Sequence, residues 1–200
     1  MIETSNKLQG GSAGVRMGGD GGVSQERASD LPGFSPQQVA GAVSKLISAT
    51  IGDCAVVFSR STAHKHYSLA DIEWMILPAV VTGQVYVAEA QHKESGARAP
   101  VAVVLWASVS VETDQRLMAN IGQKIRLRPD EWKSGDVLWI IDVAGDPTAL
   151  AGALRQLAVT VFKDRSVKIV ISDGPSQLRV ADLHEVNTPT PHSNTGARAG

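Results

Sequence analysis

Residues 101–109 read VAVVLWASV, an apolar run in which neither alternate set of positions is polar enough to face water. Strand side chains point to opposite faces in turn, so this run reads as a central strand covered on both sides. The stretch QVYVAEA precedes it, and the polar, glycine-bearing HKESGARAP between them marks an antiparallel hairpin with a long loop. VLWIIDV at 137–143 is a further buried strand, while VKIVIS and LRVADLH, parted by Asp173-Gly174-Pro175-Ser176, form a second hairpin. Helices fill the intervals. Ser35, Pro36 and Gln38 announce the first, whose Val39, Val43, Leu46, Ile47 and Ile51 share a face. The short apolar stretch CAVVF then leads into SRSTAHKHYS, residues 59–68. Ser68 and Asp71 cap a second helix bearing Leu69, Ile72, Met75 and Ile76, which Pro78 limits. Residues 110–121 suit a helix capped by Ser110, and Asp146-Pro147 starts another lined by Leu150, Leu154, Leu157 and Val161. The order ααββαβαββ predicts an α+β domain with a mostly antiparallel sheet.

Residues 1–33 are Gly- and Ser-rich without hydrophobic period, which predicts a disordered leader, and residues 187–200 read as a loose tail. The folded domain is expected over 34–186. GGSAGVRMGGDGG in the leader follows no strand and lacks a Gly-Lys-Ser/Thr ending, so it reads as linker and not as a phosphate loop. With 19 basic against 20 acidic side chains and 4% aromatics, the chain has neither a positive field nor a stacking surface for nucleic acid. No uninterrupted apolar run reaches the ~18 residues of a membrane span, and the N-terminus lacks a signal pattern. A cytoplasmic location without a membrane span is the expectation.

A carboxylate is costly on a buried strand, and in VLWIIDV the period of two places Asp142 with Leu138 and Ile140. Either it caps the following AGDP turn or it meets a histidine or hydroxyl from elsewhere. SRSTAHKHYS offers both groups. His64 and His66 share a face when extended, but a metal needs a third ligand, and His92, His184 and His192 lie in a loop and near the C-terminus. No metal is expected, and polar surface remains the alternative. Lys124, Arg126 and Arg128 alternate, so an extended chain sets them on one side for an acidic partner or phosphate, or as charges guarding a strand edge. Cys54, the single cysteine, lies in an apolar stretch and reads as a packing residue.

In this order HKHYSLADIEWMILPAV, APVAVVLWASVS and EWKSGDVLWIID resemble the lysine acyltransferases that activate RTX protoxins, over about residues 46–186. The pattern Trp132, Ser134-Gly135-Asp136, Trp139 and Ile141-Asp142 is the most specific part, with Leu77-Pro78-Ala79 and Gln84-x-Tyr86 in support. The resemblance implies a GNAT-like fold, and it carries the catalytic histidine onto His64, a nearby serine onto Ser61 and the strand aspartate onto Asp142. His66 has no counterpart. It implies an enzyme without bound cofactor that takes a fatty acyl group from acyl carrier protein, as co-substrate, to internal lysine ε-amines of an RTX-type protoxin. Such enzymes are cytoplasmic and commonly dimeric. Under this reading His64 is the general base for a protonated lysine, and Asp142 holds the imidazole tautomer. Ser61 orients either group or donates to the thioester oxygen, and Lys124, Arg126 and Arg128 dock the acidic carrier. Two positions depart from the family: Ile171 stands where an arginine is expected, and Leu105 replaces a polar residue. Two other readings stay open, a GNAT-like transferase with another donor or acceptor, and a catalytically silent homologue acting as a binding module.

Overall fold

VAVVLWASV lies within the longest strand of a five-stranded sheet. The computed structural model describes residues 35–123, 126–174 and 177–187. The expected leader, all but the first residue of the expected tail, and Lys124 lie outside the described residues. The chain divides into two units, Met1–Lys45 and Leu46–Gly200. The sheet and the candidate site belong to the second.

The strands are β1 (Val85–Gln91), β2 (Arg98–Val109), β3 (Val137–Gly145), β4 (Val167–Ser172) and β5 (Leu178–Asp182), side by side in chain order. Pairing is antiparallel except between β3 and β4, whose parallel ladder covers Leu138–Val167 and Trp139–Lys168. The fold is therefore α+β with a mostly antiparallel sheet. β2 divides its side chains as its composition requires. Ala102, Val104 and Trp106 join one apolar layer, with Leu157 of α5 (Pro147–Val159) and Phe162. Val103, Leu105, Ala107 and Val109 join the other, with Met75, Trp132 and Trp139. Each large side chain so enclosed contributes roughly 1.5–3 kcal/mol, and loss of either layer exposes half of the central strand.

α1 runs from Pro36 to Arg60. Its start is a capping box, in which the Ser35 N–H donates to Gln38 Oε1 (2.8 Å) and the Gln38 N–H to Ser35 Oγ (3.2 Å). The helix does not end before CAVVF, as the sequence suggests, but continues through it. Cys54, Val57 and Phe58 stand at i, i+3 and i+4, and their burial in the sheet's core outweighs the weak helix formers Gly52 and Asp53. As a helix, Gln37–Arg60 is long and apolar enough to cross a membrane by length and composition. The expectation of no span counted uninterrupted apolar residues, whereas this helix reaches that hydropathy across Ser, Thr and Gly.

Ser68 and Asp71 form the predicted capping box for α2 (Leu69–Asp71). Pro78 does not end the helix there. A π-helical turn, Ile72–Ile76, leads into α3 (Leu77–Val81), with the Leu77 N–H donating to the Ile72 carbonyl. The wider turn accommodates a residue that has no N–H and whose ring crowds the preceding turn. α4 (Val111–Ala119) is capped by Ser110, whose Oγ accepts from the Thr113 N–H, and Asp146 caps α5 through the Ala149 N–H. LRVADLH is not strand throughout. Asp182 Oδ1 accepts from the His184 N–H (2.8 Å), and the chain turns into α6 (Leu183–Asn187).

The Trp-x-Ser-Gly-Asp pattern is architectural. Trp132 is fully buried, its carbonyl accepts from the Ser108 N–H, and the Ser134 and Gly135 N–H groups both donate to the Ser108 carbonyl. A Cβ at Gly135 would lie 2.6 Å from the Val109 carbonyl oxygen. Only glycine allows the turn to lie so close against the end of β2.

Candidate active site

Three short links place the site's first residues. The Ser61 N–H donates to the Phe58 carbonyl, the His64 N–H to the Ser61 carbonyl, and the Tyr67 N–H to the His64 carbonyl. In the 3₁₀ turn Thr62–His64, residues three apart fall on one side, which brings Ser61 beneath His64. Ser61 occupies the cap position of that turn, yet its hydroxyl makes no cap bond. Instead Ser61 Oγ lies 2.6 Å from His64 Nδ1.

The other ring nitrogen, Nε2, lies 3.0 Å from Asp142 Oδ1 on β3. Tyr67 Oη donates to Asp142 Oδ2 at 2.7 Å, and the Val143 N–H donates to Oδ1 at 2.8 Å. A carboxylate only accepts, so Nε2 carries the proton of the neutral ring. Nδ1 then holds the lone pair and accepts from the Ser61 hydroxyl. Phe58 and Tyr67 close the ring's flanks edge-on, each with its centroid 4.9 Å away. The His64 side chain is 9% exposed and that of Asp142 16%.

Asp142 reaches this face through an irregularity that alternation does not foresee. The β2–β3 register pairs Leu105 with Asp142 but Trp106 with Ile140, which leaves Ile141 as an extra residue in β3. Paired residues share a face, so Ile140 goes with Trp106 to one layer and Asp142 with Leu105 to the other. The expectation that Asp142 sides with Leu138 and Ile140 is therefore wrong. A β-bulge re-aims the carboxylate toward α1 and the turn that follows it. Nor does Asp142 cap the AGDP turn, a task that falls to Asp146.

Tyr67 was not foreseen as part of the site. Burial, then its hydrogen bond to Asp142, pushes the phenol's pKa up from its ordinary value, so Tyr67 remains a neutral donor. The spacing Ser61-x-x-His64-x-x-Tyr67 was the available signal. His66 is exposed and takes no part. No three potential ligands gather for a metal among the described residues. Cys54 is fully buried, and burial followed by the charge of Asp53 pushes its thiol up to about 12.

Arg126 and Arg128 are both exposed on either side of buried Leu127, and each meets a carboxylate. Arg126 stacks on Trp74, 5.5 Å from the ring centroid, with Nη2 3.8 Å from Asp71 Oδ1. Arg128 precedes the 3₁₀ turn Pro129–Glu131, with Nη2 3.4 Å from Glu131 Oε1. Both guanidinium side chains stay more than half exposed. Burial raises the Glu131 pKa, but the Arg128 N–H and the hydrogen bond and charge of Arg116 outweigh it and hold the carboxyl below its ordinary value. Ile171, where the resemblance expects arginine, pairs on β4 with Arg179 on β5, whose Nε lies 3.2 Å from Asp173 Oδ2.

Comparison with known proteins gives this geometry a context. A leukotoxin-activating lysine-acyltransferase of Mannheimia haemolytica is 29% identical over 92 residues, 46% of this chain and 50% of that protein. The RTX-II toxin-activating lysine-acyltransferase of Actinobacillus pleuropneumoniae is 28% identical over 109 residues, 53% of this chain and 62% of that protein. A protein-lysine myristoyltransferase of Kingella kingae is 28% identical over 110 residues, 54% and 60% of the respective chains. The chain thus spans about half the length of the first of these relatives. The model of the RTX toxin acyltransferase family extends further and matches residues 45–184, which include Ser61, His64, Tyr67 and Asp142. By that match over more than half of its length, the chain belongs to the RTX toxin acyltransferase family.

Proposed function

We propose that this chain transfers a fatty acyl group from acyl carrier protein to internal lysine ε-amines of an RTX-type protoxin, in the cytoplasm and as a homodimer. The observation that carries this reading is the His64–Asp142 pair, with Nε2 held on Asp142 Oδ1 and Nδ1 left as the basic atom. Lysine is protonated at neutral pH and attacks a thioester carbonyl only after losing a proton. A histidine is the side chain suited to take the further proton that the neutral amine sheds as the N–C bond forms, an effect of about 10²- to 10⁴-fold. Asp142 stabilises the imidazolium that results, as the carboxylate of a hydrolytic triad does. The relatives named for activating leukotoxin and RTX toxins support a protoxin as acceptor. Arg126 and Arg128 remain exposed for an acidic carrier, although each also faces a carboxylate of its own chain. No bound cofactor is required, because the thioester supplies the activated carbonyl.

A silent binding module would not need an imidazole clamped between a serine and a carboxylate, which favours the enzyme. The test is reconstitution: purified chain, palmitoyl-acyl carrier protein and an RTX protoxin, followed by mass spectrometry of the protoxin's lysines. Acylated lysines are expected, with carrier thiol released in equal amount. Carrier thioester consumed without lysine acylation points to another acceptor, and no consumption of any acyl thioester points to the binding module.

A further inference from the structure

We propose that Ser61 is the first acceptor of the acyl group, so that transfer runs through an acyl ester on Ser61 Oγ before the lysine is modified. The inference rests on the acyl-transfer reading above. It begins from a conflict over one atom. Nε2 of His64 donates to Asp142, so Nδ1 is the ring's basic nitrogen, and that nitrogen already accepts from the Ser61 hydroxyl at 2.6 Å. An incoming lysine therefore finds the base engaged. The rings of Phe58 and Tyr67 stand against the imidazole, and its side chain is 9% exposed.

The group that engages this base is Ser61. It is half-buried and is followed by exposed Thr62 and Ala63. Its hydroxyl is spared the cap bond usual for a serine at the start of a turn and points its proton at the base. A hydroxyl on imidazole, with the opposite nitrogen on a carboxylate, is the arrangement that activates a serine nucleophile. The single cysteine offers no competing thiolate, since Cys54 is fully buried in the core.

In the first half-reaction Ser61 Oγ attacks the thioester carbonyl. The Oγ–C bond forms, the C–S bond breaks, and the hydroxyl proton passes through His64 Nδ1 to the departing carrier thiolate. Once esterified, Oγ has no proton to donate, and Nδ1 stands open. In the second half-reaction a lysine that has given its extra proton to solvent attacks the ester. The N–C bond forms, the C–Oγ bond breaks, and an amine proton passes through Nδ1 back to Ser61 Oγ. The sequence uses one base twice and frees it for the amine only after the acyl group has arrived.

The test omits the acceptor. The chain is mixed with radiolabelled palmitoyl-acyl carrier protein, quenched in acid and mapped by peptide mass spectrometry, and protoxin is then added to a parallel sample. The expected result is palmitate on the peptide bearing Ser61, labile to hydroxylamine and transferred to protoxin lysines in the chase. Ser61→Ala should retain the wild-type melting temperature, form no adduct and lower lysine acylation by about 10²-fold or more. Lysine acylation with no ester on Ser61, and a Ser61→Ala rate within threefold of wild type, would overturn the inference while leaving the acyltransferase intact. Absence of both adduct and lysine acylation would overturn the transferase reading and this inference with it.

Discussion

Replacing Asp142 by Asn separates two roles of the carboxylate that a deletion would confound. Asp142 Oδ1 accepts from both His64 Nε2 and the Val143 N–H, and Oδ2 accepts from Tyr67 Oη. The Val143 N–H needs an acceptor, so it holds the amide oxygen of an Asn at the Oδ1 place and sends the NH₂ toward Tyr67. Tyr67 can turn its hydroxyl to accept. The Nε2–H tautomer survives, and only the charge is lost. Two unit charges about 4 Å apart interact by about 4 kcal/mol at an effective dielectric of 20. With the carboxylate side chain 16% exposed, about 3 kcal/mol is a fair share for stabilising the imidazolium. At 1.36 kcal/mol per decade, Asp142→Asn should slow acyl transfer by about 10²-fold. Asp142→Ala strands three donors and should cost at least tenfold more, with a lower melting temperature. Single-turnover rates of carrier-thiol release measure both variants. An Asp142→Asn rate within threefold of wild type would refute a role for the charge, and a loss equal to that of Ala would refute the retained tautomer.

Tyr67→Phe removes one hydrogen bond to a partly exposed carboxylate that water can partly replace. About 1 kcal/mol of stability and a three- to tenfold drop in rate are expected, by urea melts and the same turnover assay; an unchanged rate would exclude Tyr67 from positioning Asp142. The Cys54 thiol, pushed up to about 12 inside the core, should not react with a thiol reagent at pH 8 until the chain is unfolded. Stoichiometric reaction of the native protein would contradict its burial. Glu131 has a carboxyl held below its ordinary 4.5, so its contribution to stability is present above that pH and is lost as pH falls through the lower folded value. Glu131→Gln should lower stability at pH 7 and flatten the acid limb of the stability profile; unfolding curves at pH 3 and 7 that shift equally would show the carboxylate's charge to be idle.

The central strand was legible because both of its faces had to be apolar, and the caps at Ser35, Ser68, Ser110 and Asp146 were legible because capping is local chemistry. CAVVF was misread for the complementary reason. Its five residues carry no period of their own, and they are helical because Cys54, Val57 and Phe58 find the sheet. Pro78 was a sound local stop signal, and the π turn ahead of it let the helix continue. At the site, Asp142 was marked by the cost of a carboxylate on a buried strand, whereas its assignment to His64 and Ser61 came from the family resemblance. The face of Asp142 is decided by a bulge that exists only when β3 lies against Leu105 and Trp106, so no pattern within VLWIIDV contains it. Tyr67 was hidden by a similar dependence, since its meaning comes from a carboxylate 75 positions away.

On the reading proposed above, the His64–Asp142 pair makes this chain a lysine acyltransferase. Co-expression with an RTX protoxin, followed by the intact mass and lysine map of the protoxin, tests it most directly when run beside His64→Ala. Fatty acylation of defined lysines is expected with the wild-type chain, and its loss with His64→Ala at equal expression and equal melting temperature. Protoxin acylated to the same extent by both chains would contradict it.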